Sequence, residues 1–157
     1  MTHILTIPLL LLFSMFQAPG PRSQSFQEEM LAAVNELRAK GCTCGEKKMA
    51  PAPPLSWNDD LQAAAEIHAK DLQKHNFIAH KGSNGSKISD RVEESGYKWA
   101  AVGENISWGA RNISSAMRGW IDSPGHCKSL MNPSFREMGA SQAGSFMVQV
   151  FGRKRSW

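Results

Sequence analysis

Cysteine and histidine carry the most readily activated side chains, and this 157-residue chain has three of the first and five of the second. Thiols pair as disulfides in oxidising compartments and ligate metals in reducing ones. With Cys42, Cys44 and Cys127, one disulfide leaves one thiol over. A bond between Cys42 and Cys44 would close a very small ring of poor geometry. The expected bridge therefore joins Cys127 to Cys42 or Cys44. A Cys/His metal site is the alternative, but the CxxC spacing of a zinc knuckle is missing. Elsewhere, Asp122 and His126 flank Ser123-Pro124, a corner able to bring an acid and an imidazole together. His80 and Glu104 each stand close to a glycine, Gly82 and Gly103, where backbone can approach closely. Imidazole nitrogens and carboxylate oxygens can hold Zn²⁺ or a similar divalent metal. With an open coordination position such an ion activates water. No H-E-x-x-H helix and no G-x-S-x-G elbow occurs.

The remaining aromatic and histidine positions have structural readings. His68 falls on an apolar helical stripe and is expected as a hydrogen-bonded core residue. His75 sits near a helix C-terminus, where positive charge is favoured. Trp57, Trp99, Trp108 and Trp120 are expected in the core.

The elements that must position these residues can be read from periodicity. Phe26, Met30, Leu31, Val34 and Leu37 fall at helical spacing, and Gly41 stops the run. Cys42 to Pro54 reads as a loop rich in Gly, Lys and Pro. Leu55-Ser56-Trp57 leads to a second helix with Asn58 as N-cap and Asp59 and Asp60 in the first turn. Its stripe is Leu61, Ala64, Ala65, His68, Ala69 and Leu72. Phe77 to Gly85 is a loop, and Ser86 to Gly96 a short helix. Ala101 to Gly109 is an extended candidate containing Glu104. Ile113 to Asp122 is helical. Ser123 then caps a further helix with Pro124 at its first position. Phe135 to Ala143 and Ser145 to Gly152 read as strands about a turn at Gly144. Helices first and strands last favour an α+β layered fold over a parallel βαβ sheet.

Composition bounds the function class. Hydrophobic residues make up 41% of the chain and charged residues 20%, an ordinary globular balance for one domain. The net charge of +4 gathers partly in Lys47-Lys48 and Arg153-Lys154-Arg155. Both runs are too short for a nucleic-acid arm, so no nucleic-acid partner is expected. They read as solvated surface, with a weak preference for anionic membranes or wall polymers as the sharper alternative. Ile4 to Phe16 is almost wholly apolar. It is too short for a stable membrane span but long enough for the apolar region of a secretory signal. Residues 1–24 are therefore expected as a signal peptide and 25–157 as the folded domain. The expected location is extracellular or periplasmic.

A set of landmarks then falls in a familiar order. Pro54-Leu55-Ser56-Trp57-Asn58 precedes the second helix. Phe77-Ile78-Ala79-His80, with Gly82 and Gly85, is similar to an "F-S-H-x-G-x-D-G" loop. Asp90-Arg91, Gly96-Tyr97 and Gly103-Glu104-Asn105-Ile106 follow. Trp120-Ile121-Asp122-Ser123-Pro124-Gly125-His126 is similar to "W-x-x-S-P-G-H". Phe135, Glu137, Gly139 and Gln149-Val150-Phe151-Gly152 close the series. In this order the chain resembles the CAP superfamily of cysteine-rich secretory, antigen 5 and pathogenesis-related proteins, in its bacterial secreted form. The likeness runs from about residue 27 to 152.

That resemblance implies a three-layer α-β-α sandwich with a small central antiparallel sheet. It also implies a cleft lined by two histidines and two acids, carried here onto His80, Glu104, Asp122 and His126. His80 and His126 are the implied metal ligands, for Zn²⁺ or another divalent ion. Plant and animal relatives take the second histidine from the strand matching Ser145 to Gly152, where this chain has Phe146 and Met147. Asp122 is shorter than the usual Glu, Ala79 stands where Ser is frequent, and Asn84 where Asp is frequent. The implied function is a secreted binding module for a lipid, sterol, glycan or protein partner. The alternative is a metal-dependent, peptidase-like hydrolase using the same cluster.

Overall fold

The computed structural model describes residues 25–156. The expected signal segment, 1–24, lies outside the described residues. The first helix, α1 (Phe26–Lys40), starts at a reciprocal cap. Ser25 Oγ accepts from the Glu28 amide, and the Glu28 carboxylate accepts from the Ser25 amide. It stops at Gly41, whose φ of 72° suits glycine. The stretch read as a loop after it holds a hairpin, β1 (Cys42–Cys44) against β2 (Lys47–Met49), turning at Gly45.

Two-residue strand β3 (Ser56–Trp57) leads into α2 (Asp59–His75). Asn58 Oδ1 caps α2 by accepting from the Leu61 amide. Short helix α3 (Ile88–Glu94) follows, then β4 (Trp99–Trp108), α4 (Ile113–Asp122), α5 (Pro124–Leu130), β5 (Glu137–Ala143) and β6 (Phe146–Lys154). Ser123 occupies the N-cap of α5 as expected, but its side chain makes no capping bond.

The main sheet has the order β3-β5-β6-β4. Its three long strands are antiparallel, and β3 adds in parallel along β5, so the sheet is mixed at that edge. Alternation along β6 divides the core. Phe146, Val148 and Val150 join Leu61, Ala64, Ala65, Ala69 and Leu72 of α2. Met147 and Phe151 join Met30 and Val34 of α1 and Ile113, Met117 and Trp120 of α4. The result is the α-β-α sandwich. Helix α2 lies so close to β5 that a Cβ at Gly139 would overlap the backbone of Leu61 and Gln62.

Cys44 and Cys127 form the disulfide, with Cα atoms 5.4 Å apart. It ties β1 to α5 across a sequence separation of 83. Cys42 is the free thiol. Among the tryptophans, Trp120 is buried and its Nε1 donates to the Ile106 carbonyl. Trp108 departs from the expected core placement and is 63% exposed.

Candidate functional site

The site is organised by β4, the strand at one edge of the main sheet. Consecutive residues of an extended strand point to opposite faces. Glu104 pairs with Val150 and faces the α2 side, whereas Asn105 pairs with Gln149 and faces the α1–α4 side. Each holds one of the candidate histidines in place.

On the α2 face the Glu104 side chain is 2% exposed. Its two oxygens have separate partners. Arg91 Nη2 of α3 donates to Oε2 at 2.8 Å, and His80 Nδ1 donates to Oε1 at 2.8 Å. Both partners are side chains, one from α3 and one from the loop after α2. Arg91 is equally buried and also donates to the carbonyls of Ser86 and His80. One guanidinium therefore fixes both the carboxylate and the backbone of the histidine that the carboxylate orients. Burying a charge demands such pairing.

His80 itself is open, with 62% of its side chain exposed. A carboxylate only accepts, so Nδ1 carries the proton and the Nε2 lone pair of the neutral ring points away from Glu104. The hydrogen bond and charge of Glu104 raise the His80 pKa above its ordinary value, against the opposing effect of partial burial.

His68 lies beneath this pair. It is fully buried on the α2 stripe, as its spacing predicts. Its Nε2 donates to the Ala79 carbonyl at 2.8 Å, holding the backbone one residue before His80. Nε2 is also 3.9 Å from Glu104 Oε1. Nδ1 has no hydrogen-bond partner. Burial lowers the His68 pKa.

On the opposite face, Asn105 Nδ2 donates to the His126 carbonyl and to Gln149 Oε1, both at 3.3 Å. This bond pins the first turn of α5 to the edge strand. Partial burial lowers the His126 pKa, and the charge of nearby His80 lowers it further. His80, from the loop after α2, and His126, from α5, thus lie near enough at the β4 edge for the charge of one to act on the other. Phe146 and Met147 of β6 are buried core residues, so the second imidazole reaches the site from a different element.

Asp122 is placed differently from the other three. It is exposed at the end of α4. The inward positions of that helix are Ile113, Ala116, Met117 and Trp120, and residue 122 falls off this stripe. The four expected residues do not form one coordination sphere. Among the described residues, the only set of three or more His, Cys, Asp or Glu whose ligand atoms all lie within 4.8 Å of one another is Cys42, Cys44 and Cys127. What the cluster offers a divalent ion is two imidazoles at one edge. Glu104 acts behind His80, because both its oxygens are engaged.

Arg91 is the functional residue that sequence reasoning left without a role. Its signal was a lone arginine at the second turn of a short helix, beside Asp90. Away from this cluster, a groove of about 330 Å³ runs between α1 and α4, lined by Ala33, Leu37, Ile113, Met117 and Ile121 with charged residues at its rim.

The profile of the cysteine-rich secretory protein family, CAP, matches residues 31–149. The chain is 26% identical over 118 residues to the uncharacterized protein YkwD of Bacillus subtilis, covering 74% of this chain and 46% of that protein. Among solved structures it resembles an extracellular protein containing an SCP domain from Bacillus anthracis, with a TM-score of 0.74 and 26% identity. That match covers 82% of this chain and 40% of the other. It also resembles an outer surface protein of Borrelia burgdorferi, with a TM-score of 0.70 and 20% identity, over 81% and 91% of the two chains. The chain thus spans less than half the length of its Bacillus relatives.

Proposed function

The chain belongs to the cysteine-rich secretory protein (CAP) family, and on that premise we propose that it is an extracellular binding module whose His80–His126 edge holds a divalent cation. The partner class is a lipid, sterol, glycan or protein. The observation that carries the reading is the hydrogen bond from His80 Nδ1 to Glu104. A carboxylate behind an imidazole fixes its tautomer and makes the outward nitrogen a better ligand. A structural role for His80 alone would not need a buried, arginine-locked acceptor for an exposed ring.

The donor set suits a borderline ion such as Zn²⁺, which accepts imidazole nitrogen. His80 and His126 would hold it. Two protein ligands make a weak site, and such a bound ion would present positive charge to an acidic or oxygen-rich partner. An apolar partner would find a second surface in the α1–α4 groove. The extracellular placement draws support from the likeness to the extracellular Bacillus anthracis protein and from the disulfide, which persists in oxidising compartments. Among the described residues no helix is long and apolar enough to cross a membrane. For the hydrolase alternative, Cys127 beside His126 is no nucleophile, because it is bonded to Cys44.

The test is calorimetric titration of the folded domain with Zn²⁺, with Cys42 alkylated beforehand so that its thiol does not compete. Replacing His80 or His126 with Ala should weaken binding tenfold or more, about 1.4 kcal/mol. A double variant binding Zn²⁺ as tightly as the parent would remove the metal from the proposal.

A further inference from the structure

We propose that Cys42, Cys44 and Cys127 form a thiol–disulfide exchange site, in which the cross-link to α5 passes between Cys44 and Cys42 and decides which thiol the domain presents. Cys42 and Cys44 are two residues apart on β1, so both sulfurs leave the same face of the strand. Both are aimed at Cys127 on α5. Cys42 Sγ lies 3.5 Å from Cys127 Sγ and 3.7 Å from Cys44 Sγ. The free thiol is therefore in contact with both sulfurs of the bond it would exchange.

The chemistry balances without any outside reagent. The Cys42 thiolate attacks Cys127 Sγ and a Cys42–Cys127 bond forms. The Cys44–Cys127 bond breaks, and Cys44 leaves as thiolate and takes up the proton that Cys42 gave up. One disulfide and one thiol exist before and after, and no electron enters or leaves the set. Nearly equal distances to the two sulfurs put Cys42 beside the disulfide rather than on its axis. Reaction therefore needs a rotation of the Cys42 side chain into line, which a partly exposed residue on a three-residue strand can make. Burial also pushes the Cys42 thiol up, so the nucleophilic form is a minority at neutral pH.

The two pairings differ in what they expose. With Cys44 bonded, the spare thiol is the partly exposed Cys42, open to low-molecular-weight disulfides that would form a mixed disulfide there. With Cys42 bonded, the spare thiol is Cys44, which is 1% exposed among Ala52, Met131 and neighbouring apolar residues. Exchange would thus display or conceal a reactive thiol with one cross-link kept throughout.

The experiment uses the chain with its three cysteines intact. After incubation at mildly alkaline pH, the protein is alkylated with N-ethylmaleimide under denaturing, mildly acidic conditions that stop exchange. Non-reducing peptide mapping with fragmentation then reads which cysteine carries the label. The expected result is two cross-linked species, labelled at Cys42 in one and at Cys44 in the other. A single species labelled at Cys42, however long the incubation, would overturn the proposal. Cys42→Ser should abolish the second species, and Cys44→Ser should yield a Cys42–Cys127 cross-link with no free thiol. Two free thiols per chain in an oxidised Cys44→Ser protein would also overturn it. The parent measurement decides by itself if Cys44→Ser does not fold.

Discussion

Arg91 Nη2 and Glu104 Oε2 lie 2.8 Å apart with both side chains 2% exposed, and the exposed His80 ring hangs from the other oxygen of the same carboxylate. A residue in contact with solvent is thereby positioned from the interior. The pair joins α3 to the edge strand β4 and fixes the loop between α2 and α3 from below.

The first prediction concerns this pair. Removing one partner leaves the other charge buried and uncompensated, which costs about 3–5 kcal/mol. Arg91→Met and Glu104→Gln should each destabilise the domain on that scale in denaturant titrations. Replacing both with apolar residues of similar volume should recover part of the loss. Single variants within about 0.5 kcal/mol of the parent would show that the two charges are solvated.

A second prediction follows from His68. Burial depresses its folded pKa, and its bare Nδ1 would gain an unpartnered N–H on protonation. The unfolded chain takes up that proton near the ordinary histidine pKa of about 6.5. Between the two values the unfolded state binds more protons, so stability falls as pH drops through that window. His80 has the opposite sign. Its raised pKa contributes stability below about 6.5 that is lost as pH rises through the folded value. Solvent weakens that contribution because the ring is largely exposed. Denaturation midpoints should decline on acidification below about pH 6.5, and His68→Gln should flatten the decline. A slope unchanged by that substitution would assign the acid sensitivity elsewhere.

Much of this was legible in the sequence, and the exceptions have physical reasons. The helical spacing of α1, the Ile113–Asp122 run of α4 and the Ser123-Pro124 start of α5 are all local signals, and the structure adds the caps at Ser25 and Asn112. The His68 stripe on α2 likewise placed a histidine in the core. The β1–β2 hairpin left no periodic trace, because its strands are three residues long and two of the three residues of β2 are Lys. β3 is two residues long and exists through its pairing with β5, some eighty residues on. Arg91 has the same difficulty. Its burial depends on a carboxylate from another element, and no local pattern distinguishes a buried arginine from a solvated one. Asp122 shows the converse. A motif match supplied the residue type, but the helical phase of α4 turns it to solvent.

A third prediction addresses the cross-link. The Cys44–Cys127 bond closes a loop with a sequence separation of 83. In the chain-entropy model a loop of that size contributes about 4–5 kcal/mol. Cys127→Ser should lose an amount on that scale, including the cost of placing a hydroxyl in a fully buried position. Cys44→Ser should lose less, because Cys42 lies within reach of Cys127. Equal losses in the two variants would mean that Cys42 does not substitute.

The last prediction separates orientation from charge at the metal edge. In the proposed site Glu104 touches no ion, and its effect passes through His80. Glu104→Gln keeps the shape of the side chain and removes its charge. The amide can still accept from His80 Nδ1, but it no longer supports the protonated ring, so the His80 pKa should fall toward its ordinary value. Loss of such an outer partner typically weakens metal affinity by about 10–100-fold. Zn²⁺ binding should therefore weaken in Glu104→Gln at slightly alkaline pH, where the imidazoles of parent and variant are both largely neutral. At mildly acidic pH the difference should narrow, because protons compete better for His80 in the parent than in the variant. Proton resonances of the His80 ring would report the pKa change directly, and calorimetry the affinity. Unaltered Zn²⁺ affinity with a shifted His80 pKa would show that Glu104 tunes the protonation of the ring without supporting an ion on it.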